Sequence, residues 1–266
     1  MVVLLVATPS LMLPNSHADG TLTVAVVAVF AALFTFVEYS SSYPSLVEFR
    51  DAPPFNRLRF ISLFFTVFML TVIARGEFEP NTFTQLCSAI GTLIGKSIDF
   101  PYSPVRLVVL MMPQDTSAEL LIKVRTAAGI SYLTSLLSLA AFLITLRLNK
   151  WPASNGSFNV WVNLPTFDPT AGGDVVARLR RDAHLNIILG FLLPFIIPAV
   201  VKLAADTFNP VSMNSPETLI WTMTAWAFLP ASLFMRGIAM GRVADMIENQ
   251  RKRAYEKAQL DGFQPV

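Results

Sequence analysis

Few residues of this 266-residue chain have the type and spacing that chemistry requires. An enzyme would have to draw on loop residues such as Asp168, Asp174 and His184, but their spacing matches no mechanism, and an acid–base assignment needs geometry first. The sequence contains no HExxH, no GxSxG and no P-loop motif. We therefore nominate no catalytic residue and expect a protein that is not an enzyme.

The histidines and the cysteine limit the cofactors that the chain could hold. A haem with two histidine ligands needs both side chains at one depth, whereas the charge pattern described below places His17 and His184 at opposite membrane faces. His184 alone could ligate a pigment or metal supplied with a partner, but a histidine at a helix edge is more often an ordinary interfacial residue. The single cysteine, Cys87, excludes an intrachain disulfide and a multi-cysteine metal site. We expect neither a cofactor nor a metal.

One apolar segment has a side that could bind a solute. Asn186, Gly190, Pro194 and Pro198 recur every four residues, so they follow one side of a helix. Each proline removes a backbone donor and clashes with the carbonyl one turn earlier, which predicts a kink. Interrupted helices form binding sites in many transporters, although membrane helices also tolerate proline for structural reasons. This segment is the candidate site for an alternative function, a transporter or channel for a small solute.

The elements that position these residues follow from a composition typical of membrane proteins. Hydrophobic residues make up 53% of the chain and charged residues 14%, against about 25% charged residues in soluble domains. A helix needs about 20 mostly apolar residues to cross a bilayer. Five stretches meet this requirement and predict an all-α fold with spans at 21–37, 58–74, 126–146, 185–201 and 219–235. Residues 1–20 form an uncleaved apolar arm, 21–235 the transmembrane domain and 236–266 a basic helical tail.

The placement of lysine and arginine orients the five predicted spans. These residues collect in short loops on the cytoplasmic side. None precedes Arg50, the first and third connectors and the tail are basic, and the fourth connector, "DTFNPVSMNSPET", has no basic residue. The pattern predicts an outside N-terminus, an inside C-terminus and a multi-pass protein of the bacterial inner membrane.

The second connector, residues 75–125, is the exception, because it should lie outside and yet contains five basic residues. A structureless loop of this length would be unusual. Its apolar pieces, "FTQLCSAIGTLIG" and "VRLVVLMM", are too short to be typical spans. We expect two short helices on the outer face, with a re-entrant hairpin as the alternative.

The first connector, "EYSSSYPSLVEFRDAPPFNRLRF", is rich in arginine, acids and aromatic residues. Its arginines favour the cytoplasmic side, its aromatic residues suit the headgroup layer, and two adjacent prolines stiffen it. Glu48, Arg50 and Arg57 are close enough in sequence to pair with their neighbours in the connector, and Phe55 adds an aromatic contact. An anchored interfacial turn and a docking site for another subunit both fit this segment.

Small and hydroxyl residues mark helix-packing surfaces. Ser131, Ser135 and Ser138 recur at three- and four-residue spacing in the third span, and Ala28 and Ala32 form a weaker stripe in the first. Close packing of small residues and interhelical hydrogen bonds drive helix association in membranes. Such surfaces serve contacts within the chain or with another protein.

The predicted spans contain almost no ionisable residue. Arg59, near a span edge, is the exception, which argues against a proton-coupled transporter, a pump or a voltage sensor. A net charge of +2 gives no reason to expect a nucleic-acid partner, and the basic residues can meet anionic headgroups. We expect a non-catalytic accessory, scaffold or assembly subunit that binds other membrane subunits, with an energy-transducing complex as one setting.

Overall fold

A computed structural model describes residues 1–14, 18–152, 158–168, 170, 172–205 and 213–260, apart from the side chains of 18–21 and 205. These residues form helices and connecting turns, with no strand among them. The helices are α1 (Val2–Met12), α2 (Ala18–Ser40), α3 (Phe55–Arg75), α4 (Thr82–Ile98), α5 (Pro104–Met111), α6 (Ala118–Leu148), α7 (Val160–Asn163), α8 (Val175–Ala205) and α9 (Pro216–Leu260).

Five helices, α2, α3, α6, α8 and α9, are long and apolar enough to cross a membrane. Each contains one of the five predicted spans, so the all-α, multi-pass fold predicted from the sequence is confirmed. The helices extend beyond the predicted limits because their polar ends continue the same backbone hydrogen bonding. In α9 this continuation reaches Leu260, and the predicted helical tail is therefore part of the last spanning helix.

The two pieces of the second connector are separate helices, and their starts are capped by side chains. The Asn81 side chain accepts from the Thr84 N–H at the start of α4, and Ser103 accepts from the Arg106 N–H at the start of α5. Such caps satisfy backbone donors that have no partner within the helix. The helices predicted here are confirmed. Whether residues 83–113 lie at the interface or enter the bilayer stays a prediction.

Buried side chains form two clusters. The first cluster includes Leu5, Val67, Val105, Val124 and Met223, and the second includes Phe49, Phe55, Phe142, Leu179 and Met240. Helices α3, α6 and α9 contribute to both clusters and so run from one to the other. The arm helix α1 packs at the first cluster, whereas the polar end of α9 leaves from the second.

Glycines let two helix pairs approach closely. A Cβ on Gly129 of α6 would lie 2.6 Å from Gly95 Cα of α4. A Cβ on Gly190 of α8 would lie 2.7 Å from Phe234 N and Pro230 O of α9. Real side chains do not tolerate such distances, so only glycine allows these helix axes to lie so close together.

Helix α2 stands at the edge of the molecule. The helix that it packs against extensively is α1. Ala28 and Glu38 are buried, but no residue from 29 to 37 is. About 13 Å of the helix therefore contains no buried side chain. Large apolar side chains such as Phe30 and Leu33 are exposed along this stretch.

Candidate functional site

The end of α2 is fixed by the connector that follows it. The Glu38 carboxylate accepts hydrogen bonds from the backbone N–H groups of Ser45, Leu46 and Val47, at 2.9–3.2 Å. Arg50 donates from Nη1 to the backbone carbonyls of Glu38 and Ser41. The connector therefore folds back on the helix that precedes it, as expected for a stiff interfacial turn.

Glu48 pairs with a residue far away in the sequence. Arg236 of α9 donates from Nε to Glu48 Oε2 at 2.6 Å and from Nη2 to Oε1 at 2.8 Å, and the Thr166 hydroxyl donates to Oε1 at 2.6 Å. The prediction that Glu48 pairs within its own connector was therefore wrong. Sequence proximity could not reveal this partner, because tertiary packing brings α9 to the connector.

The other candidate residues of the first connector have separate roles. Phe55 is buried, with its ring centroid 4.5 Å from that of Phe49 and 5.7 Å from that of Phe142. Arg50 pairs with Asp51 at 3.1 Å, as predicted, whereas Arg57 is exposed. Three of the four candidates, Glu48, Arg50 and Phe55, therefore hold the chain's own fold together, and Arg57 faces the surroundings.

Arg59 adopts a position that its place near a helix end did not predict. Its guanidinium carbon lies 5.0 Å from the Phe55 ring centroid and 5.8 Å from that of Phe228 on α9. Its Nε atom is buried and has no hydrogen-bond partner among the described residues. The guanidinium is therefore held between two aromatic rings, where the quadrupole of each ring attracts the cation.

The serines of α6 are used for packing within the chain. Ser131 and Ser135 are buried, Ser135 beside α8 and α9, whereas Ser138 is half-exposed and donates to the Ser135 carbonyl at 2.8 Å. Close intrachain packing was one of the two roles predicted for this stripe. The stripe is therefore a poor surface for another protein.

The residues of the alternative transport site do not form a single pathway. Gly190 and Pro194 line a cavity of ≈ 80 Å³ together with Tyr132 and Ser135, at the junction of α6, α8 and α9. Asn186 lies outside this cavity. Its side chain donates to the Asp182 carbonyl at 2.7 Å. Helix α8 is continuous through both Pro194 and Pro198, so these residues do not interrupt it.

The prolines of α8 instead create a contact with α9. Pro198 has no N–H, which leaves the Pro194 carbonyl one turn earlier without its helical donor. The Trp226 indole Nε1–H donates to this carbonyl at 3.2 Å, in a buried position. We missed this pair at the sequence level, although the spacing of the prolines predicts one unsatisfied carbonyl.

The residues considered for catalysis or ligation are not assembled into a metal site. His184 is exposed beside Arg180, Arg242 and Asp245. No group of three or more potential metal ligands exists within the described residues. His17 lies outside them.

Asp174 has a structural partner at each carboxylate oxygen. One oxygen accepts from Arg251 Nη1 of the tail at 2.6 Å, and the other accepts from the Ala177 N–H at 3.1 Å and caps α8. The Arg251 hydrogen bond, followed by that of the Ala177 N–H, lowers the pKa of the Asp174 carboxyl. These bonds favour a permanently charged cap over a group that exchanges protons near neutral pH.

A cavity lies where α3, α4, α6 and α9 meet near the first cluster. It measures ≈ 270 Å³, and its apolar wall includes Leu70 and Ile220. At its edge Lys123 Nζ lies 2.8 Å from both Glu77 and Glu119, so the charge of the lysine is compensated. Such a cavity can accept a small amphipathic molecule, and its edge carries two carboxylates against one ammonium.

Most candidate residues therefore make contacts within the chain's own fold. Arg57, Arg59 and the exposed length of α2 remain available for contacts with other molecules. Comparison with protein families, curated proteins and solved structures finds no match for this chain.

Proposed function

We propose that this protein is a non-catalytic subunit that helps to build a larger membrane-protein complex, and that α2 is the helix through which it contacts a neighbouring subunit. The observation that carries this proposal is the uncovered length of α2. Residues 29–37, about 13 Å of the helix, contain no buried side chain, whereas Ala28 and Glu38 on either side of this stretch are buried.

The comparison with α8 shows why α2 is the better candidate. Helix α8 also has a lipid-facing side, but it packs along its length on α9 through Gly190 and Gly237. Helix α2 has no equivalent support. Since membrane helices are stabilised by close packing rather than by the hydrophobic effect, a helix without neighbours gains most from a partner.

The proposed orientation has the N-terminal arm outside and the tail inside the bacterial inner membrane, on the distribution of lysine and arginine. Charge pairing supports this assignment for the exceptional second connector. Arg75 pairs with Glu79, Lys123 with Glu77, and both Arg106 and Arg125 with Asp99. These basic residues are therefore engaged in tertiary contacts. An energy-transducing complex is one setting for such a subunit.

Purification of the intact chain in a gentle detergent tests the proposal. We expect a companion protein at a fixed stoichiometry, identified by native mass spectrometry. Replacement of Phe30 and Leu33 together by alanine should release the companion without unfolding the chain, because both side chains are exposed, at 68% and 56%.

The matched control is the double alanine variant of Phe191 and Leu185 on α8, whose exposed fractions are 61% and 52%. This variant should retain the companion. Purification of the chain without any companion protein would refute the proposal. Equal loss of the companion from both variants would show that α2 is not the specific contact.

A further inference from the structure

Arg59 is a charged group on a spanning helix that no described residue neutralises. Its Nε atom is buried and has no hydrogen-bond partner among the described residues. Neither of its Nη atoms is both buried and without a partner. The residue is only partly buried, and no described acceptor receives a hydrogen bond from it. An unpaired guanidinium in a region of low dielectric is costly, so a group from outside the chain has a strong reason to bind there.

The nearest acid does not fill this role. Glu48 interacts electrostatically with Arg59. Both of its oxygens, however, are occupied by Arg236, and Oε1 also accepts from Thr166. Two guanidinium groups thus share one carboxylate, and the site keeps a net positive charge.

Arg59 lies near the start of α3, at the edge of the second predicted span, where lipid phosphates are expected. It is the fifth residue of α3, so it lies about 6 Å along the helix axis from Phe55. Tyr39, near the end of α2, is within electrostatic range of it, and tyrosine is typical of the headgroup layer.

We propose that Arg59 binds the phosphate of an anionic phospholipid, which sits at the start of α3 beside Phe228 of α9. A guanidinium presents paired N–H donors that suit phosphate oxygens, and the contacts with Phe55 and Phe228 hold its plane. The lipid phosphate compensates the charge that the protein leaves unpaired, while residues 29–37 of α2 stay available to the neighbouring subunit.

Lipid binding to the full chain in neutral detergent micelles tests the site, with dioleoyl phosphatidylglycerol and dioleoyl phosphatidylcholine as probes. Native mass spectrometry should show one retained phosphatidylglycerol per chain and weaker retention of phosphatidylcholine. Arg59→Gln should bind phosphatidylglycerol about tenfold more weakly, the loss expected for one charge-assisted hydrogen-bonded contact. Arg59→Lys should keep part of the binding.

Arg57→Gln is the matched control, since Arg57 is an exposed arginine two positions away on the same helix. It should bind phosphatidylglycerol like the unmodified chain. Equal losses in both variants would indicate general surface attraction and overturn the proposal, as would undiminished binding by Arg59→Gln.

Two further ligands distinguish a lipid from a free anion. Inorganic phosphate and glycerophosphoglycerol, at matched ionic strength, should not raise the melting temperature as phosphatidylglycerol does. If either raises it equally, the site is one for a soluble phosphate, and the lipid proposal is wrong. Without lipid, Arg59→Gln should still unfold in one cooperative transition, because it loses the contacts with Phe55 and Phe228 but also removes an unpaired charge. This measurement separates lost lipid binding from failed folding.

Discussion

Arg236 and Glu48 form a two-pronged ion pair across 188 positions of the sequence, with Nε–Oε2 and Nη2–Oε1 distances of 2.6 and 2.8 Å. The pair connects the last spanning helix to the connector between the first two. Thr166 of the third connector adds a hydrogen bond to the same carboxylate. Three segments that are distant in sequence therefore meet at one carboxylate beside the second cluster.

Removal of this carboxylate should destabilise the chain markedly. Glu48→Gln leaves Arg236 without its counter-charge at a site where the exposed fractions of the two side chains are only 10% and 25%. Loss of one partner of a buried pair costs about 3 kcal/mol. The free energy of unfolding in mixed micelles measures this change. Glu79→Gln is the control, because it breaks the exposed pair with Arg75 and should cost at most about 1 kcal/mol.

The close approach of α8 and α9 should depend on Gly190. A Cβ at this position would lie 2.7 Å from backbone atoms of α9, which cannot move without a shift of the helix. We expect Gly190→Ala to destabilise the chain by about 2 kcal/mol. Gly241→Ala is the matched control, since its nearest neighbour would be Ala183 Cβ at 3.9 Å. It should be neutral or stabilising by up to about 1 kcal/mol, because alanine favours the helix. Equal effects in thermal unfolding would contradict this account.

Trp226 should be energetically coupled to Pro198. Trp226→Phe removes the donor to the Pro194 carbonyl and should cost about 1 kcal/mol beyond the change in packing. In a Pro198→Ala background residue 198 regains an N–H that can bond this carbonyl, so the same substitution should cost less. A double-mutant cycle of unfolding free energies measures the difference, which we expect to be about 1 kcal/mol. Strict additivity would show that the indole bond does not replace the missing helical donor.

The contact between Asp174 and the tail should persist to acidic pH. Because Arg251 and the Ala177 N–H lower the pKa of Asp174 in the folded chain, the contact is fully present above the ordinary aspartate pKa of about 3.9. It is lost only as the pH falls through the lower, folded-state pKa. Spin labels at Gly172→Cys and Ala254→Cys, in a Cys87→Ser background, should give a narrow distance distribution at about pH 6 that broadens only below the ordinary aspartate pKa.

Arg251→Gln should broaden the same distribution already at neutral pH, whereas Arg253→Gln should not. Arg180 also bonds Asp245 and Glu248 between α8 and the tail, so the Arg251 variant is needed to assign the effect to Asp174. Broadening at pH 5 in the unmodified chain would contradict the depressed pKa.

The sequence alone was sufficient to predict the five long apolar helices. Each spanning helix is a long apolar run, and bilayer thickness imposes a length on such a run that can be read without tertiary information. The cap at Asp174 and the two helices of the second connector were also predictable, because caps and turns depend on neighbouring residues. The Arg50–Asp51 pair follows for the same reason.

Tertiary structure decided which partners these local features have. Glu48 is near arginines in the sequence, yet it bonds Arg236, and Arg59 is left unpaired between two rings. The prolines that suggested a solute site instead expose a carbonyl to Trp226, and the serines of α6 pack internally. Hydrophobic length is a property of one segment, whereas an ion pair or an uncovered helix depends on which segments the fold brings together.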